Sequence, residues 1–156
     1  MIKALRQLRM VGFAGLLFLC ASVALRAQTT PAKQDCPGST VDLQGEEVAR
    51  KSRTFLAELQ AAVGKGEKAK VAGMISYPLL VIHSSSKARV RTETQFLSQY
   101  DSIFDAHVRQ AIAQQSEKCL FGNYQGTMIG DGEVWYREQA SGAMKIVTVN
   151  TSAGSQ

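Results

Sequence analysis

Gly126-Thr127-Met128-Ile129-Gly130-Asp131-Gly132-Glu133-Val134-Trp135-Tyr136 reads as two short strands joined by a tight turn. Gly130 and Gly132 flank Asp131, and such hairpin turns need the positive φ that glycine adopts without a Cβ clash. A turn accounts for both glycines, so Asp131 is not read as part of a metal loop. Alternation extends outward from this hairpin, over Cys119 to Tyr124 and Gln125 to Ile129 on one side and Glu133 to Glu138 on the other. Beyond Ser141-Gly142 it resumes from Met144 to Asn150. The carboxy-terminal half is therefore predicted to be an antiparallel meander.

Upstream the period changes. Val48, Phe55, Leu56, Leu59 and Val63, with Ser52 and Ala62 on the same stripe, predict an amphipathic helix over 46–63. Glu46 to Arg50 and Glu47 to Lys51 are i,i+4 pairs in the favourable order, and Gly64 and Gly66 supply the stop. A short helix is expected over 68–74. Tyr77 to His83 is apolar at successive positions, the pattern of a strand covered on both faces, with Pro78 tolerable near its start. Ser84 to Ser86 make a turn, and 88–91 is a return strand. Thr92 and Gln95 fit a capping box for a helix carrying Phe96, Leu97, Tyr100, Ile103 and Phe104. Asp105 can cap a further helical stretch, so this region is kinked or broken near Phe104. Helices first and strands later predict an α+β fold, with a curved antiparallel sheet folded over the helices.

This order of elements, the strand opening Tyr77-Pro78-Leu79, the helix with Phe96 and Tyr100-Asp101, the glycine-rich hairpin into Trp135 and the ending Val147-Thr148-Val149-Asn150 together resemble the exported bacterial branch of the nuclear-transport-factor-two-like superfamily (the ketosteroid-isomerase-like cone fold). The resemblance spans about residues 45–150, and the hairpin is its most specific part. It implies a cone-shaped barrel, a curved antiparallel sheet wrapped around the amino-terminal and central helices, with a pocket at the open end. Members include isomerases, dehydratases, polyketide cyclases and non-enzymatic binding domains, so the fold does not fix the function. None of their catalytic residues transfers to a matching position.

The first residues have another character. Lys3, Arg6 and Arg9 precede an apolar run from Val11 to Leu25, the layout of a secretory signal peptide over 1–27, with cleavage after Ala27 or after Ala24. The run is shorter than the roughly 20 residues of a membrane span. Bulky Phe18-Leu19 before Cys20 argues against lipidation there. The expected mature protein is exported, periplasmic or secreted, with a flexible arm over 28–44, a domain over 45–150 and a disordered tail over 151–156. Eighteen Lys and Arg less the four in the leader leave fourteen against thirteen acids, a net of +1. The basic balance of the whole chain thus gives no case for a nucleic-acid partner, nor for membrane association after cleavage. Cys36 and Cys119 remain, and in an oxidising compartment an even pair invites a disulfide, with two separate thiols as the alternative.

Tyr77, His83, Tyr100, Trp135 and Tyr136 are polar-tipped groups on elements that would line a cone. They form the candidate pocket for a small apolar molecule, against the alternative of ordinary core packing. His83 or an aspartate is the candidate base of an isomerase- or dehydratase-type enzyme, with tyrosine hydroxyls as hydrogen-bond donors. Spacing selects no pairing of His83 or His107 with Asp101 or Asp105. No metal-ligand spacing, serine elbow or phosphate-cradling loop is present, so no catalytic residue, metal or cofactor is assigned. The function expected is non-enzymatic binding of a small apolar ligand or a protein partner, with a homodimer formed through the sheet.

Overall fold

The computed structural model describes residues 39–84 and 86–151. The signal peptide, Cys20, most of the expected arm including Cys36, and the tail from 152 onward lie outside the described residues. A 3-10 turn, Val41–Gln44, leads into α1 (Glu46–Gly64) and the short α2 (Lys68–Gly73). The strand β1 (Ile75–His83) turns back into β2 (Ser86–Val90). Three helical pieces follow, α3 (Glu93–Ser98), α4 (Tyr100–Ile103) and α5 (Ala106–Gln114). The chain ends in β3 (Phe121–Asn123), β4 (Gly126–Ile129), β5 (Val134–Glu138) and β6 (Met144–Asn150).

The helix starts follow their capping residues. Thr92 accepts from the Gln95 amide at 3.2 Å, while the Gln95 side chain reaches past it to the Arg91 amide at 2.9 Å. Asp105 accepts from the Val108 amide at 2.9 Å and opens α5. The segment is broken after Ile103, at Phe104, as one of the two expected outcomes had it, and a further break at Gln99 divides the first stretch into α3 and α4.

The six strands lie in the order β2-β1-β6-β5-β4-β3. The meander β3 to β6 is antiparallel as predicted, and Gly130 and Gly132 have φ of 65° and 115° in its central turn. The expectation of a wholly antiparallel, closed sheet is corrected on two points. β1 pairs with β6 in parallel, Leu80 opposite Thr148 and Val81 opposite Val149, so the sheet is mixed. Its outer strands β2 and β3 do not pair with each other, so it is open. The chain reaches β6 from β1 only after crossing the three helical pieces and the meander, and a parallel neighbour needs such a long crossover.

One face of the sheet packs on the helices. Leu79, Val81, Ile129, Val134, Tyr136, Ile146 and Val149 meet Leu56, Leu59, Phe96, Phe104, Val108 and Ile112 there, all buried. The other face is only half-covered: Leu80 and Ile82 are of intermediate exposure, so β1 is not covered on both sides as its composition suggested. In register, Leu80, Thr148, Trp135, Met128 and Phe121 make one row across that open face. Phe121 meets Trp135 edge-on at 6.4 Å.

The last residues of the expected flexible arm are fastened down. The Thr40 amide donates to the Leu120 carbonyl at 3.1 Å, and the Gly122 amide donates to the Thr40 hydroxyl at 2.9 Å. The Gln44 amide nitrogen donates to the carbonyls of Asn123 (2.5 Å) and Gly126 (3.2 Å). This strap covers the outer backbone of β3, which would otherwise be an unpaired edge. Gly122 lets it approach, since a Cβ there would sit 2.8 Å from the Val41 Cα. Gly122→Ala should therefore destabilise the protein by about 1–3 kcal/mol. Denaturant titration measures the loss, and faster amide exchange confined to 39–44 and 121–126 locates it.

Candidate functional site

α1 presents two flanks. Its apolar stripe, Phe55, Leu56 and Leu59, enters the core, while Arg50, Lys51, Thr54 and Glu58 stand beside it. The β5–β6 hairpin rises along this second flank, and between them lies a hollow of about 330 Å³. Its floor is Phe55, Met74 and Met144; its rim carries Arg50, Lys51, Glu58 and Lys145. Lys51 is held across the hairpin by Glu138 at 2.5 Å and by Glu47 at 2.9 Å, and both contacts raise its pKa. Lys145 donates to the Gly73 carbonyl at the end of α2. Two thioethers beside a phenyl ring form a deformable apolar surface, suited to an apolar ligand of modest size. A wider, mainly charged hollow of about 830 Å³ runs along the outer side of α1 from Glu46 to Ala57, with Glu117 beyond it.

None of the five predicted pocket residues lines either hollow. The fold divides them. Tyr136 is fully buried, stacks on Phe55 at 4.7 Å and donates its hydroxyl to the Ser52 carbonyl at 3.1 Å. Tyr100 is buried among Phe96 and Phe104, and its hydroxyl has no hydrogen-bond partner among the described residues. Tyr77 meets Phe96 edge-on and donates to the Ala72 carbonyl at 3.2 Å. Trp135 stands on the open face of the sheet. His83 ends β1 in solvent, its Nδ1 2.5 Å from the Thr151 hydroxyl. Tyr77, Tyr100 and Tyr136 thus share the helix side of the sheet, while His83 and Trp135 do not join them.

The nearest approach to an acid–base pair lies elsewhere. His107 Nε2 on α5 is 2.8 Å from Glu133 Oε1, and Glu133 is buried at the glycine-rich turn. A carboxylate only accepts, so that nitrogen carries the proton. The other Glu133 oxygen accepts from the Asp131 amide at 2.6 Å, and a Cβ on Gly130 would strike it. Sequence spacing selected no partner for His107, and only Asp101 and Asp105 were weighed; the signal that would have found Glu133 is the acid directly after a Gly-Asp-Gly turn. Neither residue lines a hollow, and the pair reads as a clasp between α5 and the hairpin. Among the described residues no three His, Cys, Asp or Glu side chains gather as metal ligands, and no helix is long and apolar enough to cross a membrane.

Burial pushes the Tyr77 hydroxyl up to about 12, with the Glu93 charge adding to it. Burial likewise raises Tyr100 and Tyr136. Unfolded tyrosines ionise near pH 10, so below that pH both states are protonated and stability is flat on their account. As pH rises toward the folded values, the unfolded state loses protons first and stability falls. Circular dichroism across an alkaline series should show that decline beginning at about pH 10. Tyr136→Phe, which costs about 1 kcal/mol at neutral pH by losing its hydrogen bond, should make the decline shallower.

Comparison with protein families, with curated proteins and with solved structures finds no match to this chain, so what the site can do rests on its own geometry.

Proposed function

We propose that this chain is an exported, non-enzymatic binding domain of the nuclear-transport-factor-two-like kind, which holds a small apolar molecule in the hollow between α1 and the β5–β6 hairpin. The observation that carries this reading is the floor of Phe55, Met74 and Met144 beneath a charged rim. The order of elements, helices first and an antiparallel meander later, supports the superfamily reading. A bulge supports the curvature a cone requires: Val147 has no opposite number between the rows Tyr136 to Ile146 and Trp135 to Thr148, and bulges bend strands. The alternative, a pocket enzyme of isomerase or dehydratase type, would draw on His83 or an aspartate as base, and neither His83 nor any aspartate lines either hollow.

Two further parts belong to the same proposal. The row Leu80, Trp135, Met128 and Phe121 gives a second copy an apolar surface to pair with, making a homodimer. A Cys36 to Cys119 bridge would anchor the strap: Ser39 and Thr40 already bond to Leu120, the residue after Cys119, and Cys36 is three residues upstream of Ser39.

Native mass spectrometry of the protein taken from its own exported fraction should show a retained small molecule. Met144→Glu, which places a carboxylate on a half-buried part of the floor, should lose that mass while the circular dichroism spectrum stays unchanged. A clean apo mass from repeated preparations sinks the ligand reading. Light scattering at tens of micromolar tests the pairing, and a monomer there counts against it.

A further inference from the structure

The two edges of the sheet are treated differently. β3 is covered by the chain's own strap, whereas no described segment covers the outer side of β2. Ser86 to Arg89 are exposed and only Val90 is buried. β2 pairs with β1 on its inner side, and among the described residues no hydrogen bond reaches the outward backbone of Lys87 or Arg89. The next amide, Arg91, is taken by the Gln95 side chain, which limits the open edge to about one short strand.

Charge marks the same edge. Lys87, Arg89 and Arg91 recur at every second residue, and register places Lys87 and Arg89 beside Ile82 and Leu80 on the open face. None of the three joins an ion pair among the described residues. The six strands hold a single acid, Glu138, which is bound to Lys51 on the other side of the sheet. A net charge near zero for the expected mature chain thus conceals a wholly cationic edge.

We propose that β2 accepts an extended acidic segment of a partner protein as an added antiparallel or parallel strand. The segment's backbone would take up the outward N–H and C=O groups of β2, and acids at alternate positions would face Lys87, Arg89 and Arg91. Ser86 and Ala88 are small, so the other face leaves room for the intervening side chains. A second copy of the same strand is disfavoured, because it would bring Lys87 and Arg89 against their own kind, the device by which cationic edges resist self-pairing.

The probe is a labelled peptide of about seven residues in which Glu alternates with Thr, and its control carries Lys in place of Glu. Fluorescence anisotropy with the mature protein should show the Glu peptide binding, the Lys peptide failing to bind, and the affinity falling at about 0.5 M salt. The double variant Lys87→Glu/Arg89→Glu should weaken binding by about tenfold or more, and Lys65→Glu, away from the edge, should leave it unchanged. If the double variant misfolds by circular dichroism, Lys87→Gln/Arg89→Gln replaces it with the same direction expected. Amide chemical-shift changes should gather on residues 86–91. The proposal is overturned if the Glu peptide does not bind, if both peptides bind alike, or if the shifts map to the α1 hollow. It is also overturned if phosphatidylglycerol vesicles, and not the peptide, bind through these cations, or if the charge variants dissolve a dimer formed through β2.

Discussion

Between α1 and the sheet lies a short line of hydroxyls with no access to water. Ser52 and Thr127 are both buried, their oxygens 3.1 Å apart, and Tyr136 donates to the Ser52 carbonyl. Thr127 in turn donates to Gln44, whose amide nitrogen reaches the backbone of Asn123 and Gly126. Polar groups so placed must find partners inside the protein, and each costs about 1–3 kcal/mol if left without one. Their pairing therefore fixes where α1 sits along β4 and β5, since a helix slipped by one turn would leave Ser52 facing aliphatic carbon. The Phe55 to Tyr136 stack adds roughly 0.5–1.5 kcal/mol beyond burial to the same seat. Apolar packing alone would tolerate several positions for the helix; this hydroxyl line accepts one.

The strap is the outward end of that line. Gln44 bonds to Thr127 inside and to the β3–β4 turn outside, so the covering of the β3 edge and the seating of α1 are a single event. Among the described residues no such line reaches β2, which is held by its ladder to β1, by the buried Val90 and by the Gln95 contact just past its end. The difference between the two edges follows from which strands carry a buried polar partner for a neighbouring segment. It also separates the charges: acids gather on helices and turns, while the strands keep four of the Lys and Arg residues and one acid.

Local signals made much of this legible. The helical stripe over 46–63 named Ser52 as a core position, the Gly-Asp-Gly turn gave a hairpin, and Thr92 and Asp105 gave helix starts that the structure uses. What stayed hidden depends on chain segments far apart in sequence. Nothing in Tyr77 to His83 says that its partner is β6 or that the pairing is parallel, and an apolar run looks the same whether one face or two are covered. The strap read as a loose arm because its hold is made of side-chain bonds from Ser39, Thr40 and Gln44 to residues some eighty positions away. The five pocket candidates shared chemistry without sharing a place: aromatic rings at strand period fill the core wherever the curvature of the sheet closes over them, and that curvature is a tertiary property.

The parallel pairing of β1 and β6 has the furthest consequence. Parallel neighbours begin at the same end of the sheet, so the entry to β1 and the entry to β6 lie side by side, and the Ile146 amide donates to the Met74 carbonyl at 2.9 Å. That junction brings Met74, from the turn after α2, against Met144, at the top of the last hairpin, beside the flank of α1 that carries Phe55. Had β6 run the other way, its far end would have met Met74, and the hollow would have had one methionine and no hairpin wall. At the opposite end of the same pair, the Thr151 amide donates to the Ile82 carbonyl and the Thr151 hydroxyl meets His83, which ties that histidine to the residue that follows β6. A feature of topology that the residues could not announce therefore decides both where the hollow lies and why His83 is not beside it.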